Sequence, residues 1–150
     1  MSRIDYCNIL FNGISQRDLN RLQKLQNKCA RLIYLQPKST HVTPLLTDLH
    51  WLRISERIKF KTLLYVYKAL KGLCPQYITD NLVVMTSRPG SVTTRSCNGL
   101  NLLVPRSKKC AGDRAFSVAA PKLWNELPIS IRSALSIDNF KSLLKTHLFC

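Results

Sequence analysis

Carboxylates are the groups with which this chain could hold catalytic metal ions, and it has eight in 150 residues. Phosphoryl or nucleotidyl transfer by two metals needs carboxylates that converge on ions about 4 Å apart. No two acids here are adjacent or within four positions of each other: they are Asp5, Asp18, Asp48, Glu56, Asp80, Asp113, Glu126 and Asp138. Three of them, Asp18, Asp113 and Asp138, stand where a helix start would use an acid. The sequence therefore predicts neither a carboxylate metal site nor a bound cofactor.

Other catalytic patterns are equally absent from the sequence. It contains no G-x-S-x-G, no phosphate loop, no G-x-G-x-x-G and no H-E-x-x-H. Its six cysteines are widely spaced, without a C-x-x-C pair or a histidine at zinc-finger spacing. Cys29 and His41 could meet in space, but a single cysteine on an apolar helix face is usually a packing residue. We predict a non-catalytic chain with free, mostly buried thiols.

Basic residues recur in a pattern that could bind phosphates. Five of them follow one another at steps of four, three, four and three, which places them on one stripe of a helix: Arg17, Arg21, Lys24, Lys28 and Arg31. We call this set the basic stripe. Over about 20 Å of helix axis it could follow a nucleic-acid backbone. The alternative is a solvated polar face with no ligand.

A second basic cluster is interleaved with aromatic residues, which can stack on bases. It consists of Arg53, Arg57, Lys59, Lys61, Lys68 and Lys71, together with Phe60, Tyr65 and Tyr67. From this cluster we assign Arg57 and Lys61 as further nucleic-acid contacts. Phe60 and Tyr67 lie off the main apolar face, which leaves stacking open, whereas core packing is the alternative reading.

Two long helices must position these residues. The first is predicted over 16–35, with Ser15 and Asp18 as a capping pair. Its apolar face consists of Leu19, Leu22, Leu25, Cys29, Leu32 and Ile33. The second is predicted over 55–71 and closes at Gly72. Its apolar set is Ile58, Leu63, Tyr65, Val66, Ala69 and Leu70.

The remaining elements are expected to be short. Helices are predicted over 44–50, 76–82, 113–119, 121–126 and 137–148, and an extended segment over 100–105. Trp51 and Trp124 are expected to anchor the core. The fold class is therefore mainly α: a small helical bundle with at most a short β-hairpin, and a loosely packed helical C-terminal part.

Charge and hydropathy restrict the partners. Lys and Arg total 23 against 8 acids, a formal net charge of +15, which attracts nucleic acid, an anionic membrane surface or an acidic protein partner and does not by itself choose among them. Its hydrophobic content of 45% is typical of a globular protein. Neither a signal peptide nor an apolar run of about 18–20 residues is present. We expect an intracellular protein that binds nucleic acid rather than a membrane or a small-molecule substrate; the oligomeric state is left open.

Four stretches of the chain carry a resemblance to a known family: Ser2 to Asn8, Leu22 to Leu32, Leu49 to Leu52, and Asp113 to Pro121. They resemble the reverse transcriptase of LINE-type, non-LTR retrotransposons of the jockey and chicken-repeat type. The resemblance runs from Ser2 to Phe149 and concerns the region after the palm. It implies that Ile14 to Leu35 is the last helix of the thumb, which holds the RNA/DNA hybrid or duplex behind the active site. Residues 37–150 would be the post-thumb region, and the parent enzyme would act in the nucleus.

The family's aromatic-x-Asp-Asp motif, which binds Mg²⁺, is absent from this chain, as is the family's endonuclease. The resemblance therefore implies a fragment that begins inside the thumb and retains at most sequence-tolerant nucleic-acid binding. The expected organisation is a partial thumb-like segment over 1–36, a post-thumb helical region over 37–85, a linker-like loop over 86–99, and a short strand with C-terminal helices over 100–150. Two alternatives remain: a non-functional truncated remnant, or a basic helical module that binds a partner protein.

Overall fold

The computed structural model describes residues 5–85 and 101–149, so the predicted linker-like loop over 86–99 lies outside the described residues. Within these ranges the chain forms eight α-helices and one 3-10 helix, Asn8–Phe11. The predicted mainly α class is confirmed. In the same ranges the only β pairing is an isolated antiparallel bridge between Val84 and Leu102.

The first long helix, α1 (Gln16–Ile33), begins as its capping residues predict. The Ser15 hydroxyl accepts a hydrogen bond from the Asp18 amide at 3.2 Å and donates to the Asp18 carboxylate at 2.7 Å. At the other end Leu35 takes a left-handed conformation, with φ of 51°. The amide of Gln36 then reaches back to the carbonyl of Arg31 at 2.9 Å, which closes the helix before Pro37.

Two helices follow α1 and build the centre of the bundle. Helix α2 (Thr43–Asp48) has Pro44 in its first turn, and Val42 rather than Thr43 is its N-cap residue. Helix α3 (Ile54–Leu70) ends one residue earlier than predicted. Gly72, with φ of 70°, supplies the left-handed residue after α3, where any other residue would be strained.

The segment after α3 leads into the C-terminal half. It contains the short helix α4 (Gln76–Thr79) and the bridge at Val84. The bridge partner Leu102 is held from both sides by the Asn125 side chain, which accepts from its amide at 2.9 Å and donates to its carbonyl at 2.8 Å. Within the described residues of the predicted extended segment over 100–105, the β pairing therefore consists of this one bridge between Leu102 and Val84.

The last four helices are α5 (Cys110–Asp113), α6 (Phe116–Glu126), α7 (Ile129–Arg132) and α8 (Ile137–Phe149). The prediction of separate helices over 113–119 and 121–126 was wrong, because α6 continues through Pro121. A proline in a helix removes the hydrogen bond to the carbonyl four residues earlier. Pro121 is fully buried, so core packing holds the helix together at this point.

Aromatic rings from three helices form the centre of the core. Tyr67 of α3 stacks on Phe140 of α8 with ring centroids 4.3 Å apart, and Trp124 of α6 lies 6.0 Å from Phe140. The Tyr67 hydroxyl donates to the carbonyl of Ala134 at 2.9 Å. Stacking of Tyr67 on bases is therefore excluded. Conversely Tyr65, predicted to be buried, is 39% exposed.

The core also connects the two described parts of the chain. Leu63 and Val66 of α3 pack in one cluster with Ala120, Trp124 and Leu144 from the C-terminal helices. Trp124 is 1% exposed and is a core anchor as expected, whereas Trp51 is half-buried. Residues before 86 and after 100 therefore share one hydrophobic core.

Candidate nucleic-acid interface

The basic stripe lies on the side of α1 that faces away from the rest of the bundle. Gln26 and Ala30 are the buried residues of the helix, each 0% exposed. At 100° per residue, the stripe positions lie about 120–180° around the helix from these two. The exposed members of the stripe are Arg17, Arg21, Lys24 and Lys28. The structure thus presents four cations of the stripe to solvent along one face.

Few acids oppose this face. Asp18 is the acid of α1, and its carboxylate lies 3.4 Å from the Arg21 guanidinium, with both side chains more than half exposed. An exposed pair of this kind contributes little, and it leaves Arg21 free to exchange partners. Within residues 5–85 and 101–149, no carboxylate pairs with Arg17, Lys24 or Lys28. The exposed face of α1 is therefore strongly positive.

Arg31, the last member of the stripe, has a different role. Its guanidinium donates to the carbonyl of Thr40 through Nε at 3.2 Å and Nη2 at 3.0 Å. Nearby, the Tyr34 hydroxyl hydrogen-bonds the Asp48 carboxylate, and this bond raises the pKa of Tyr34. These contacts hold the end of α1 to the loop that follows and to α2. Arg31 therefore positions the stripe more than it extends it.

A pair of glutamines fastens the middle of α1 to the start of α3. Gln26 donates from Nε2 to the carbonyl of Leu52 at 2.9 Å. Gln23 donates to Gln26 Oε1 at 3.0 Å and accepts from the amide of Ile54 at 2.9 Å. We name Gln23 and Gln26 the glutamine clip. Sequence reasoning missed this clip, although both glutamines belong to the Leu22 to Leu32 stretch that carries the resemblance.

The predicted apolar face of α1 does not form a buried surface. Leu25 is 50% exposed, Leu32 73% and Ile33 54%, and Cys29 is also exposed. We call these four residues, with Leu35, the apolar strip. Leu19 and Leu22 of the predicted face are half-buried, and the residues that α1 buries completely are Gln26 and Ala30. The strip consequently lies at the surface, immediately beside the basic stripe.

Arg57 and Lys61, the predicted nucleic-acid contacts on α3, are less exposed than the four exposed cations of the basic stripe. The Arg57 guanidinium binds both carboxylate oxygens of Asp5, with side chains 20% and 25% exposed. This hydrogen bonding holds the pKa of Asp5 below its ordinary value, and the nearby charges of Arg57 and Lys61 lower it further. Lys61 is half-buried. Arg57 is thus occupied by a structural ion pair, and the stripe offers the more accessible cations.

The cysteines with described side chains differ from the prediction of mostly buried thiols. Cys7 and Cys29 are exposed and Cys74 is half-buried, and all three are free. In the described ranges, no group of three or more histidine, cysteine or acidic side chains is arranged to hold a metal ion. In those ranges there is also no helix with the length and apolar character to span a membrane.

Comparisons of the chain with protein-family models, with curated proteins and with solved structures give no match. The feature of the described residues that points to a function is the exposed basic stripe, which the glutamine clip holds in place.

Proposed function

We propose that this chain is a non-catalytic, nucleic-acid-binding part of a non-LTR retrotransposon reverse transcriptase, in which α1 contacts the primer–template. The observation that carries the proposal is the row of four exposed cations at Arg17, Arg21, Lys24 and Lys28, with Asp18 as the neighbouring acid. The net charge of +15 supports it, because the whole molecule attracts a polyanion. The proposal assigns no catalytic residue or cofactor to this chain, and it places the chain in the nucleus.

The chemistry of the interface is phosphate neutralisation. From Arg17 to Lys28 the stripe spans about 16 Å along the helix axis, enough to contact several phosphates of one strand. In this proposal the four side chains contact phosphates and not base edges, and because phosphate contacts carry no sequence information, binding tolerates any sequence. Each neutralised phosphate releases counterions, and affinity therefore falls as salt rises.

The test is a salt titration of duplex and RNA/DNA hybrid binding by fluorescence anisotropy. The wild-type chain is compared with the triple variant Arg21→Ala, Lys24→Ala, Lys28→Ala. We expect the slope of log affinity against log salt to become shallower by up to about 2.7, since each phosphate contact on B-DNA contributes about 0.9. All three side chains are exposed, so the fold should persist, and circular dichroism verifies this.

A matched control removes the same charge from other places. Lys38, Lys71 and Lys122 are exposed and lie in three separate parts of the chain. Their triple alanine variant has the same net charge as the stripe variant. If the slope of log affinity against log salt became shallower by the same amount in both triple variants, binding would depend on total charge and the proposed interface would be wrong.

A basic protein-interaction module is the second candidate, and the apolar strip favours it. Leu25 and Leu32 on α1, and Leu35 just after its end, present a row of exposed leucines. An amphipathic helix of this kind can lie in the groove of a partner protein. Such binding would tolerate salt and would weaken in the variant Leu25→Gln, Leu32→Gln, whereas phosphate binding by the stripe would survive it.

A further inference from the structure

A second surface feature lies on the side of the bundle where α2, the start of α3 and the end of α8 meet. It is a cavity of about 620 Å³, and its walls include Trp51, Arg53, Thr47 and Phe149. Sites for small organic ligands and cofactors usually have volumes of about 300–1,000 Å³. The cavity is therefore large enough for a nucleotide.

Aromatic side chains from two distant parts of the sequence line this cavity. Trp51 precedes α3 and is half-buried, while Phe149 ends α8 and is 38% exposed. The imidazole of His147 lies in the same wall and adds a polar ring. Indole and phenyl faces favour planar ring ligands, because nucleobases stack on aromatic side chains. The walls therefore fit a ligand with a flat ring system.

The charges of the cavity favour an anionic group on that ligand. Glu56 and Lys59 both line it and pair with each other at 3.2 Å, so their charges offset. Arg53 is exposed, and no acid of residues 5–85 and 101–149 forms an ion pair with it. A guanidinium in this situation can bind a phosphate through two hydrogen bonds. The excess charge at the cavity is positive and is concentrated at Arg53.

We infer that this cavity binds one unpaired nucleotide, with its base against Trp51 and Phe149 and its phosphate at Arg53. The ligand chemistry follows from the cavity alone and extends the proposed function, since the stripe on α1 needs no pocket. Gln26 of α1 is hydrogen-bonded to Leu52, the residue between Trp51 and Arg53. The basic stripe and the nucleotide cavity thus lie on elements that are held directly together.

The experiment is a titration of the full chain with AMP and UMP, followed by tryptophan fluorescence. Trp51 lines the cavity, while Trp124 is 1% exposed in the core and gives a constant background. We expect saturable quenching by both nucleotides and at least about tenfold weaker binding of adenosine or inorganic phosphate alone. If phosphate bound as tightly as AMP, or if no saturable quenching occurred, the inference would be overturned.

Two variants locate the binding. Arg53→Gln removes the cation, and Thr47→Phe fills the cavity without changing the charge; both residues are exposed, so the fold should persist. We expect each to weaken AMP binding at least about tenfold. Lys38→Gln is the control, because it removes one exposed charge outside the cavity walls and should leave AMP binding unchanged. Unchanged AMP affinity in both cavity variants would contradict the inference.

The same assay separates this inference from the proposed function. The stripe variant Arg21→Ala, Lys24→Ala, Lys28→Ala should lose duplex binding but keep AMP binding. Loss of AMP binding in that variant would show that nucleotides bind at the stripe, and the cavity would then have no assigned ligand. Normal AMP binding without any duplex binding by the wild-type chain would overturn the proposed function alone.

Discussion

Gln26 shows how a single polar residue can decide which way a helix faces. It is 0% exposed and is one of two residues that α1 buries completely. Its amide donates to Leu52 and accepts from Gln23, so both of its polar ends are satisfied. A buried amide with satisfied hydrogen bonds specifies one orientation, whereas a leucine in contact with water on the same helix specifies none.

Replacing Gln26 by leucine should therefore destabilise the protein, although it makes α1 more hydrophobic. The carbonyl of Leu52 would lose its donor, and a buried group without a partner costs about 1–3 kcal/mol. The measurement is the free energy of unfolding from urea titrations followed by circular dichroism. Leu32→Gln, at a site 73% exposed, is the control and should change that free energy by less than about 0.5 kcal/mol. If Leu32→Gln lowered the free energy of unfolding more than Gln26→Leu did, the leucine face would be the buried one.

The ion pair between Asp5 and Arg57 should make stability depend on pH. The folded state holds the pKa of Asp5 below its ordinary value of 3.8, chiefly through the hydrogen bond from Arg57. Its contribution is therefore fully present above that value, and it is lost as the pH falls through 3.8 towards the lower folded pKa. We expect Asp5→Asn to lower the free energy of unfolding by about 1 kcal/mol at pH 7, because partial exposure screens the pair.

This difference between wild type and Asp5→Asn should shrink to nothing at the acid end of a titration from pH 7 to pH 2. The control is Asp138→Asn, since the Asp138 side chain is 85% exposed beside Lys141 and its pair is open to water. A difference for Asp5→Asn that stayed constant across the whole pH range would exclude the ion pair as its cause.

At the scale of elements, the ends of the helices follow local sequence rules, even where the backbone at a helix end is strained. Two long helices end in left-handed residues, Gly72 after α3 and Leu35 after α1. Glycine adopts this conformation readily, whereas a leucine there brings its Cβ too close to the backbone. Leu35 is also 88% exposed, so packing does not compensate for the strain.

Leu35→Gly should therefore stabilise the protein, by about 0.5–1 kcal/mol in the free energy of unfolding. The relief of the left-handed strain exceeds the entropy that glycine adds to the unfolded chain. Leu35→Ala is the matched control, because it shortens the side chain but retains a Cβ, and it should leave stability almost unchanged. A destabilised glycine variant would show that the leucine side chain contributes to packing at the end of α1.

At the scale of the whole molecule, the core makes α3 and the C-terminal helices interdependent. Phe140 of α8 is 0% exposed, stacks on Tyr67 and touches the ring of Trp124. Removal of such a ring leaves a cavity that three helices share. A substitution on α8 should therefore lower the stability of the structure on both sides of the segment between residues 85 and 101.

Phe140→Ala should lower the free energy of unfolding by about 3–5 kcal/mol. Fluorescence of Trp124 and helical circular dichroism should follow one common denaturation curve in the wild-type protein. Leu135→Ala, at a site 90% exposed, is the control and should change stability by less than about 0.5 kcal/mol. Separate curves for the two probes would divide the molecule into independently unfolding parts.

The sequence by itself determined the helical class, the positions of α1, α3 and α8, and the alignment of the basic stripe. These features depend on capping residues and periodicity, which act over a few residues of chain. Ser15 and Asp18 start α1, Gly72 ends α3, and the steps of three and four place the cations on one side of the helix whatever it packs against.

Only the tertiary structure decided which faces meet. The burial of Tyr67 rather than Tyr65, the pairing of Asp5 with Arg57 and the walls of the nucleotide cavity join residues that are far apart in sequence. The rotation of α1, which exposes leucines and buries Gln26, depends on a carbonyl at Leu52 that no local pattern marks. Periodicity describes the faces of one helix, whereas burial depends on the neighbour that covers each face.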